Sequence, residues 1–364
     1  MTSPEARKSA APALDISAVK AVVWLSVTAF LALLVLPLAA MVPGLAACAA
    51  DNDWEVFKQD FVQADGRVVD TGQGRISHSE GQGYAMIFAL HYDDRPAFER
   101  LWQWTQKNLQ VRDDALLAWR WEPRKGVTDR NNATDGDLLV AWALARAAEK
   151  WRVPEYGSAA KRIAQDVRAK LVKRVAHGMV LVPGVEGFDK PDGLTINLSY
   201  WIFPAFPDLA RVDPAPEWEE LPRSGTAILG YSAFGRWRLP PDWLKLGERV
   251  APGGPAPARF SYDAVRIPVY LLWGRRDNEA LMRPYRDFWG QYEALPWVPA
   301  WTNVKDDSID SRGADAGIRA VAQLARDWPH ARADRLPALE PGQMYYPAVL
   351  LMLCKLALRE RGAG

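Results

Sequence analysis

Three short segments place carboxylates where they could move protons. Ser79-Glu80-Gly81-Gln82-Gly83-Tyr84-Ala85-Met86 sets one acid between a hydroxyl and two glycines, and Ala133-Thr134-Asp135-Gly136-Asp137 sets two acids around a glycine. Ser261-Tyr262-Asp263-Ala264-Val265-Arg266 sets an acid three residues before an arginine. Carboxyl groups in different environments can divide labour, one holding a proton as acid and another ionised as base. Each segment also has a structural reading. Glu80 opens a helix that Ser79 can cap, and a helix start favours the carboxylate. A proton donor there needs a desolvating pocket. The neighbouring glycines let a ligand approach the backbone. Thr134 or Asp135 can cap the next helix, and the segment lacks the regularly spaced oxygens of a calcium loop. Asp263 and Arg266 can be a plain helix pair, or the arginine can hold the aspartate ionised as a base.

The elements that must carry these groups read as helices. Apolar residues recur at helical spacing over 80–92, 96–109 and, most clearly, 135–151, where Leu138, Leu139, Trp142, Leu144 and Ala145 share a face. Helices are also expected over 157–175, 262–275, 280–292, 314–328 and 345–361. Long Pro/Gly-rich connections fall between them at 110–134, 176–196, 203–224, 236–260 and 295–313, and such loops on a helical scaffold usually build a site. Helix pairs recur about every 50 residues, so a ring of about six pairs is a candidate among all-α arrangements.

Composition narrows the function. Lys and Arg number 45 against 44 Asp and Glu, so no strong field favours nucleic acid or anionic lipid. The 17 Trp suggest either flat platforms on which sugar rings stack or a Trp-rich core. His78, His91, His177 and His330 are scattered without metal-ligand spacing. Arg7, Lys8 and Lys20 precede an almost uncharged run from Ala21 to Ala47, followed by small residues. That pattern makes 1–47 an export signal, or an anchor if uncleaved, and 48–364 the catalytic domain. Leu45-Ala46-Ala47-Cys48 also fits a lipoprotein signal with Cys48 acylated. Cys48 and Cys354 allow one disulfide, and a buried thiol is the alternative for Cys354.

Here the motifs resemble glycoside hydrolase family 8. SEGQGYAM is similar to its proton-donor motif, 133–151 to its signature helix, Asn197-Leu198-Ser199-Tyr200 to its substrate segment, and SYDAVR to its base segment. Val140, Ala145 and Ala85 depart from the usual residues. The likeness spans about 54–355 and, within the family, favours the periplasmic endoglucanases of cellulose-synthase operons through Trp54-Glu55-Val56-Phe57-Lys58 and Gly66-Arg67-Val68-Val69-Asp70.

The resemblance implies an all-α (α/α)6 barrel that hydrolyses β-1,4-glucan with inversion, using no cofactor and no metal. Glu80 would protonate the leaving oxygen. Asp263 would activate water across the ring, the two carboxyls standing roughly 6.5–9.5 Å apart. Asp135 would hold and distort the sugar, and Arg266 would orient Asp263 or the substrate. Asn197 and Tyr200 would line the cleavage point, with Trp121 and Trp201 as stacking candidates. The partners implied are a glucan and a cellulose-synthase complex, with the membrane reached only through the N-terminal segment. Chitosan, xylan or lichenan are alternative substrates, and a non-catalytic glucan-binding protein is a further alternative. Asp306-Asp307-Ser308-Ile309-Asp310 fits the spacing by which isoprenoid synthases hold Mg-diphosphate, but it lies in a loop without a second acidic motif.

Overall fold

Helices alternate between two burial patterns along the chain. In this computed structural model, which describes residues 52–362, the helices are α1 (Asp53–Phe61), α2 (Ser79–His91), α3 (Arg95–Asn108), α4 (Thr134–Trp151), α5 (Pro154–Leu171), α6 (Phe206–Val212), α7 (Glu217–Tyr231), α8 (Ile267–Trp273), α9 (Glu279–Gly290), α10 (Ala316–Asp327) and α11 (Tyr345–Glu360). Every residue of α8 is buried, as are nearly all of α2 and α11 and the first three turns of α4. In contrast, α3, α5, α9 and α10 bury one stripe and present polar residues on the other. α2 packs on α4 and α4 on the short α6; the 3-10 turn Phe203–Ala205 links α6 to α8, α8 packs on α11, and α11 returns to α2. The amphipathic helices lie against them, α3 on α2, α5 on α4 and α10 on α11.

Local chemistry explains the boundaries. The Asp94 carboxylate accepts from Ala97 N at 3.0 Å and starts α3, with Pro96 in its first turn. Asp315 does the same for α10 through Ile318 N at 2.9 Å. Arg152 ends α4 in the left-handed conformation, and Pro154 starts α5 two residues later. The helix expected over 157–175 therefore starts earlier, and it ends at Leu171. Its tail is strand β4 of a hairpin (see below). The stretch 203–224, read as a connection, holds α6 and the first half of α7. Pro204, Pro207, Pro214, Pro216 and Pro222 suggested a loop, yet Pro207 sits in the first turn of α6, where no N–H is needed, and Pro222 is carried inside α7.

The other expected connections are largely hairpins. β1 (Ser77–His78), β2 (Arg120–Glu122) and β3 (Gly126–Asp129) form one antiparallel sheet, and β4 (Val172–Val175) pairs with β5 (Gly178–Leu181). β6 (Asp189–Lys190), β7 (Gly193–Ile196), β8 (Leu244–Leu246) and β9 (Val250–Pro252) form a four-stranded sheet, and β10 (Arg259–Phe260) pairs with β11 (Thr302–Asn303). These sheets frame the N-terminal ends of α2, α4 and α8. At the two ends of the described domain, Lys355 of α11 pairs with Asp53 of α1, both buried. Among the described residues no helix is long and apolar enough to cross a membrane. The segment 1–47 and the Cys48 proposals lie outside the described residues. Cys354 is a buried thiol, its pKa pushed up by burial.

Candidate active site

The first acid is placed by a strand running straight into a helix. Ser77 pairs with Trp121 and His78 with Arg120, and α2 begins at the next residue. The cap is His78, not Ser79: its Nδ1 accepts from Gly81 N at 2.9 Å. Nε2 must then carry the proton, and it faces Asp70 Oδ2 at 3.4 Å. Burial works to raise Asp70, but hydrogen bonds from His78, Gly72 N and Gln73 hold it below the usual carboxylate range. Gln82, fully buried, ties α2 to the 66–68 loop and to α3 through Val68 N, Gly66 O, Leu101 O and Thr105 Oγ1.

The glycines serve packing between elements. A Cβ on Gly83 would lie 2.5 Å from Leu139 Cβ, one on Gly136 would lie 2.8 Å from Glu80 N, and one on Gly81 would lie 2.8 Å from Tyr345 Oη. So α2 and α4 cross with almost no gap, which brings Glu80 beside Asp135. Ala133 is the α4 cap residue and has no side-chain bond to offer, while the Thr134 hydroxyl donates to Val182 O at 2.6 Å. Asp135 therefore does not cap. Its Oδ1 accepts from Gly136 N at 2.8 Å, and burial pushes it up to about 7. Asp137 points the other way, accepting from Leu117 N at 2.8 Å and Asn132 Nδ2 at 2.7 Å, and so anchors the 110–134 loop. Burial raises it to about 7 as well.

The third acid precedes a 3-10 turn, Ala264–Arg266, which runs into α8. Arg266 is only 3% exposed and touches all three acids. Nη2 lies 2.9 Å from Asp263 Oδ1, Nη1 contacts Glu80 Oε1, and Nη1 lies 3.8 Å from Asp135 Oδ2. Nη2 also donates to Ser199 Oγ at 2.8 Å, and Nη1 to Tyr84 Oη at 3.1 Å. One cation is thus shared among three carboxylates. Asp263 stands well above the ordinary carboxylate range, through burial first and then the neighbouring Asp242 and Asp135; polar hydrogens of Asn197 and Trp243 act the other way. The plain helix-pair reading of Asp263 and Arg266 is too narrow.

Two cavities, of about 510 and about 120 Å³, share Gln73, His78, Glu80, Asp263 and Arg266. The larger continues past Tyr262, Met344 and Tyr346, and the smaller past Trp119, Asp135 and Tyr200. The acids therefore sit where the two cavities meet.

The chain matches the profile of glycosyl hydrolases family 8 over residues 29–360. It is 38% identical to an endoglucanase of Cellulomonas uda over 78% of this chain and 79% of that one. The chain belongs to glycosyl hydrolase family 8. A probable endoglucanase of Novacetimonas hansenii is 36% identical over 86% of this chain and 92% of its own. The solved structure of a family 8 endo-β-1,4-glucanase from an Achatina fulica gut metagenomic library is 40% identical, covers 85% of this chain and 98% of its own, and superposes with a TM-score of 0.79. The ring of helix pairs is the (α/α)6 barrel that the resemblance implied.

This family 8 hydrolase brings Glu80, Asp135, Asp263, Arg266 and Tyr200 together in one cleft. Of the other expected site residues, Trp201 and Trp121 lie outside the cleft and Asn197 lies behind the acids. Trp201 is buried, its indole donates to Leu221 O at 3.1 Å, and Gly225 packs on its ring, so it is core and no sugar can stack on it. Trp121 has Trp104 against its ring at 5.5 Å and the Arg67 guanidinium 5.1 Å from its centroid; neither cavity is lined by it. The aromatic that faces the cleft from this segment is Trp119. Asn197 is fully buried, and its Oδ1 accepts from Ser199 N at 3.0 Å and Ser199 Oγ at 2.7 Å. It holds the serine that holds Arg266, which is positioning and not sugar contact. His78 is buried in the site and lines both cavities.

Asp70, Gln73, Tyr262, Met344, Tyr346 and Asp242 had no signal strong enough to single them out by sequence. The aspartates at 306–310 serve separate turns: Asp306 accepts from Ser308 N, Asp307 from Arg236 N and Asp310 from Arg312 N, each at 3.0 Å. Among the described residues no group of His, Cys, Asp or Glu is arranged to hold a metal ion.

Proposed function

We propose that this family 8 hydrolase cuts β-1,4-glucan chains internally, with inversion at the anomeric carbon. The observation that carries the reading is the position of Glu80 and Asp263 where the two cavities meet, bridged by Arg266. Two cavities meeting at the acids suit an enzyme that cuts within a chain.

Glu80 donates its proton to the leaving glycosidic oxygen. Its Oε1 is occupied by Arg266 and Tyr84, which leaves Oε2, on the His78 side at 3.9 Å from Nδ1, as the donating oxygen. Asp263 takes a proton from water, and the resulting hydroxide attacks the opposite face of the ring. Its raised pKa makes it a stronger base than a solvated aspartate. Asp135, on the smaller-cavity side, binds the sugar at the cleavage point and favours its distortion.

Glucan as substrate is supported by the names of the relatives, and the fold alone would admit other β-linked polysaccharides. The export pattern supports a periplasmic or extracellular enzyme. The likeness to endoglucanases of cellulose-synthase operons supports work on newly made cellulose, with the synthase complex as partner. The test is to measure reducing ends and viscosity with carboxymethylcellulose, chitosan and xylan. A rapid fall in viscosity on carboxymethylcellulose, with few new reducing ends, is expected. Faster cleavage of chitosan or xylan would overturn the substrate, and reducing ends without loss of viscosity would overturn internal cutting.

A further inference from the structure

Asp242 lies in the loop just before β8, is 4% exposed, and lines neither cavity. Its Oδ1 accepts from Ser261 N at 2.9 Å and from Ala264 N at 2.8 Å, and its Oδ2 accepts from Ser261 Oγ. The main chain repeats the link, Asp242 N donating to Arg259 O at 2.7 Å. The bonded residues bracket Asp263 on both sides. The next residue, Trp243, lies beside the Asp263 carboxyl, and the strand that follows is held in the four-stranded sheet. A buried carboxylate is costly unless its acceptor sites are filled. Here all its hydrogen bonds go to the one turn that carries the base.

We propose that Asp242 is a positioning residue for hydrolysis: it clamps the Ser261–Ala264 turn and so fixes the Asp263 carboxyl where water is activated. This rests on the reading of Asp263 as the base. Asp242 also acts through charge. The groups facing Asp263 are Asp242 from the β8 loop, Asp135 from α4, Arg266 from its own turn with Glu80 behind it, Tyr200 from a second 3-10 turn, Leu198–Tyr200, and Tyr346 from α11. Burial, then Asp242 and Asp135, raise Asp263, and burial raises Asp242 itself. The two carboxyls release their protons as a pair. With the Asp242 charge removed, Asp263 loses its proton at lower pH, so the base stays ionised further into acid.

The test compares Asp242→Asn, Asp242→Ala and Asp263→Asn in the full chain on soluble carboxymethylcellulose, with kcat, KM, the pH profile of kcat/KM and the folded fraction measured for each. Asp242→Asn keeps an acceptor for the two N–H groups and removes the charge. Its acid-side limb should move to lower pH by on the order of one unit. Asp242→Ala loses the clamp, and kcat should fall by about 10²-fold while KM changes by less than about threefold. An unshifted acid limb in Asp242→Asn overturns the proposal even if Asp242→Ala fails to fold. So does an Asp242→Ala loss of kcat that matches its loss of folded protein. If Asp263→Asn still hydrolyses normally, the assignment of the base itself fails. If Asp263→Asn is inactive while both Asp242 variants behave as wild type, only the role of Asp242 fails.

Discussion

Gly136 passes Ser79 so closely that a Cβ on the glycine would lie 2.7 Å from the serine's Cβ. This crossing of α4 over α2 sets the distance between Asp135 and Glu80. Gly136→Ala must push the helices apart or distort the first turn of one. It should destabilise the protein by about 1–3 kcal/mol, as overpacking does, and lower kcat more than the stability loss explains. Thermal unfolding and kcat measured together check this; an alanine variant with wild-type activity and melting temperature would contradict it.

Glu80→Gln removes the transferable proton and keeps the shape. Hydrolysis of cellulose should fall by about 10²–10⁴-fold, the range of general acid catalysis, while binding of cello-oligosaccharide survives. An aryl cellobioside with an acidic phenol as leaving group needs little protonation and should lose far less rate. Equal losses on both substrates would mean that Glu80 is not the donor.

Arg266 contacts all three acids. Arg266→Met leaves buried carboxylates uncompensated and should cost about 3–5 kcal/mol of stability. The sign for activity follows from charge. Removing a positive neighbour makes each carboxyl harder to ionise, so the acid-side limb of kcat/KM should move to higher pH, opposite to Asp242→Asn. A shift to lower pH, or none, would contradict the shared-cation arrangement.

Asp135 predicts a trade between stability and activity. Its pKa is raised from 3.8 to about 7 by burial, so the folded state prefers the protonated form. The stability linked to this proton is present below the unfolded value near 4 and is lost as pH rises through about 7. Asp135→Asn removes that loss. The variant should be more stable than wild type at pH 8 by roughly 1–3 kcal/mol, equally stable near pH 4, and inactive. Urea unfolding at the two pH values checks it; a variant less stable than wild type at pH 8 would contradict the account.

The sequence was most legible where period and motif agreed. The helices over 80–92 and 135–151 were read within a residue or two, because apolar spacing there is dense and uninterrupted. Prolines hid α6 and α7, since Pro at a helix start and Pro at a break look alike in one dimension. The acids were found by motif, yet their mutual bridge through Arg266 depends on segments nearly two hundred residues apart meeting in space. Trp119 and Trp121 could not be told apart, because which ring faces the cleft is decided by Arg67 and Trp104 behind the sheet. Gly81 and Gly83 read as room for a ligand and prove to be room for neighbouring side chains and helices. Asp242 carries no motif; its meaning lies in the turn it holds.

The central claim is that Glu80 and Asp263 act from opposite sides of the sugar with a water between Asp263 and the anomeric carbon. Proton NMR of a soluble cello-oligosaccharide during the first minutes of cleavage tests it most directly, because the new reducing end is seen before it mutarotates. The account requires the α-anomer to appear first and the β-anomer to grow in later. A first product in the β-anomer would mean retention, and the division of labour between Glu80 and Asp263 would be wrong.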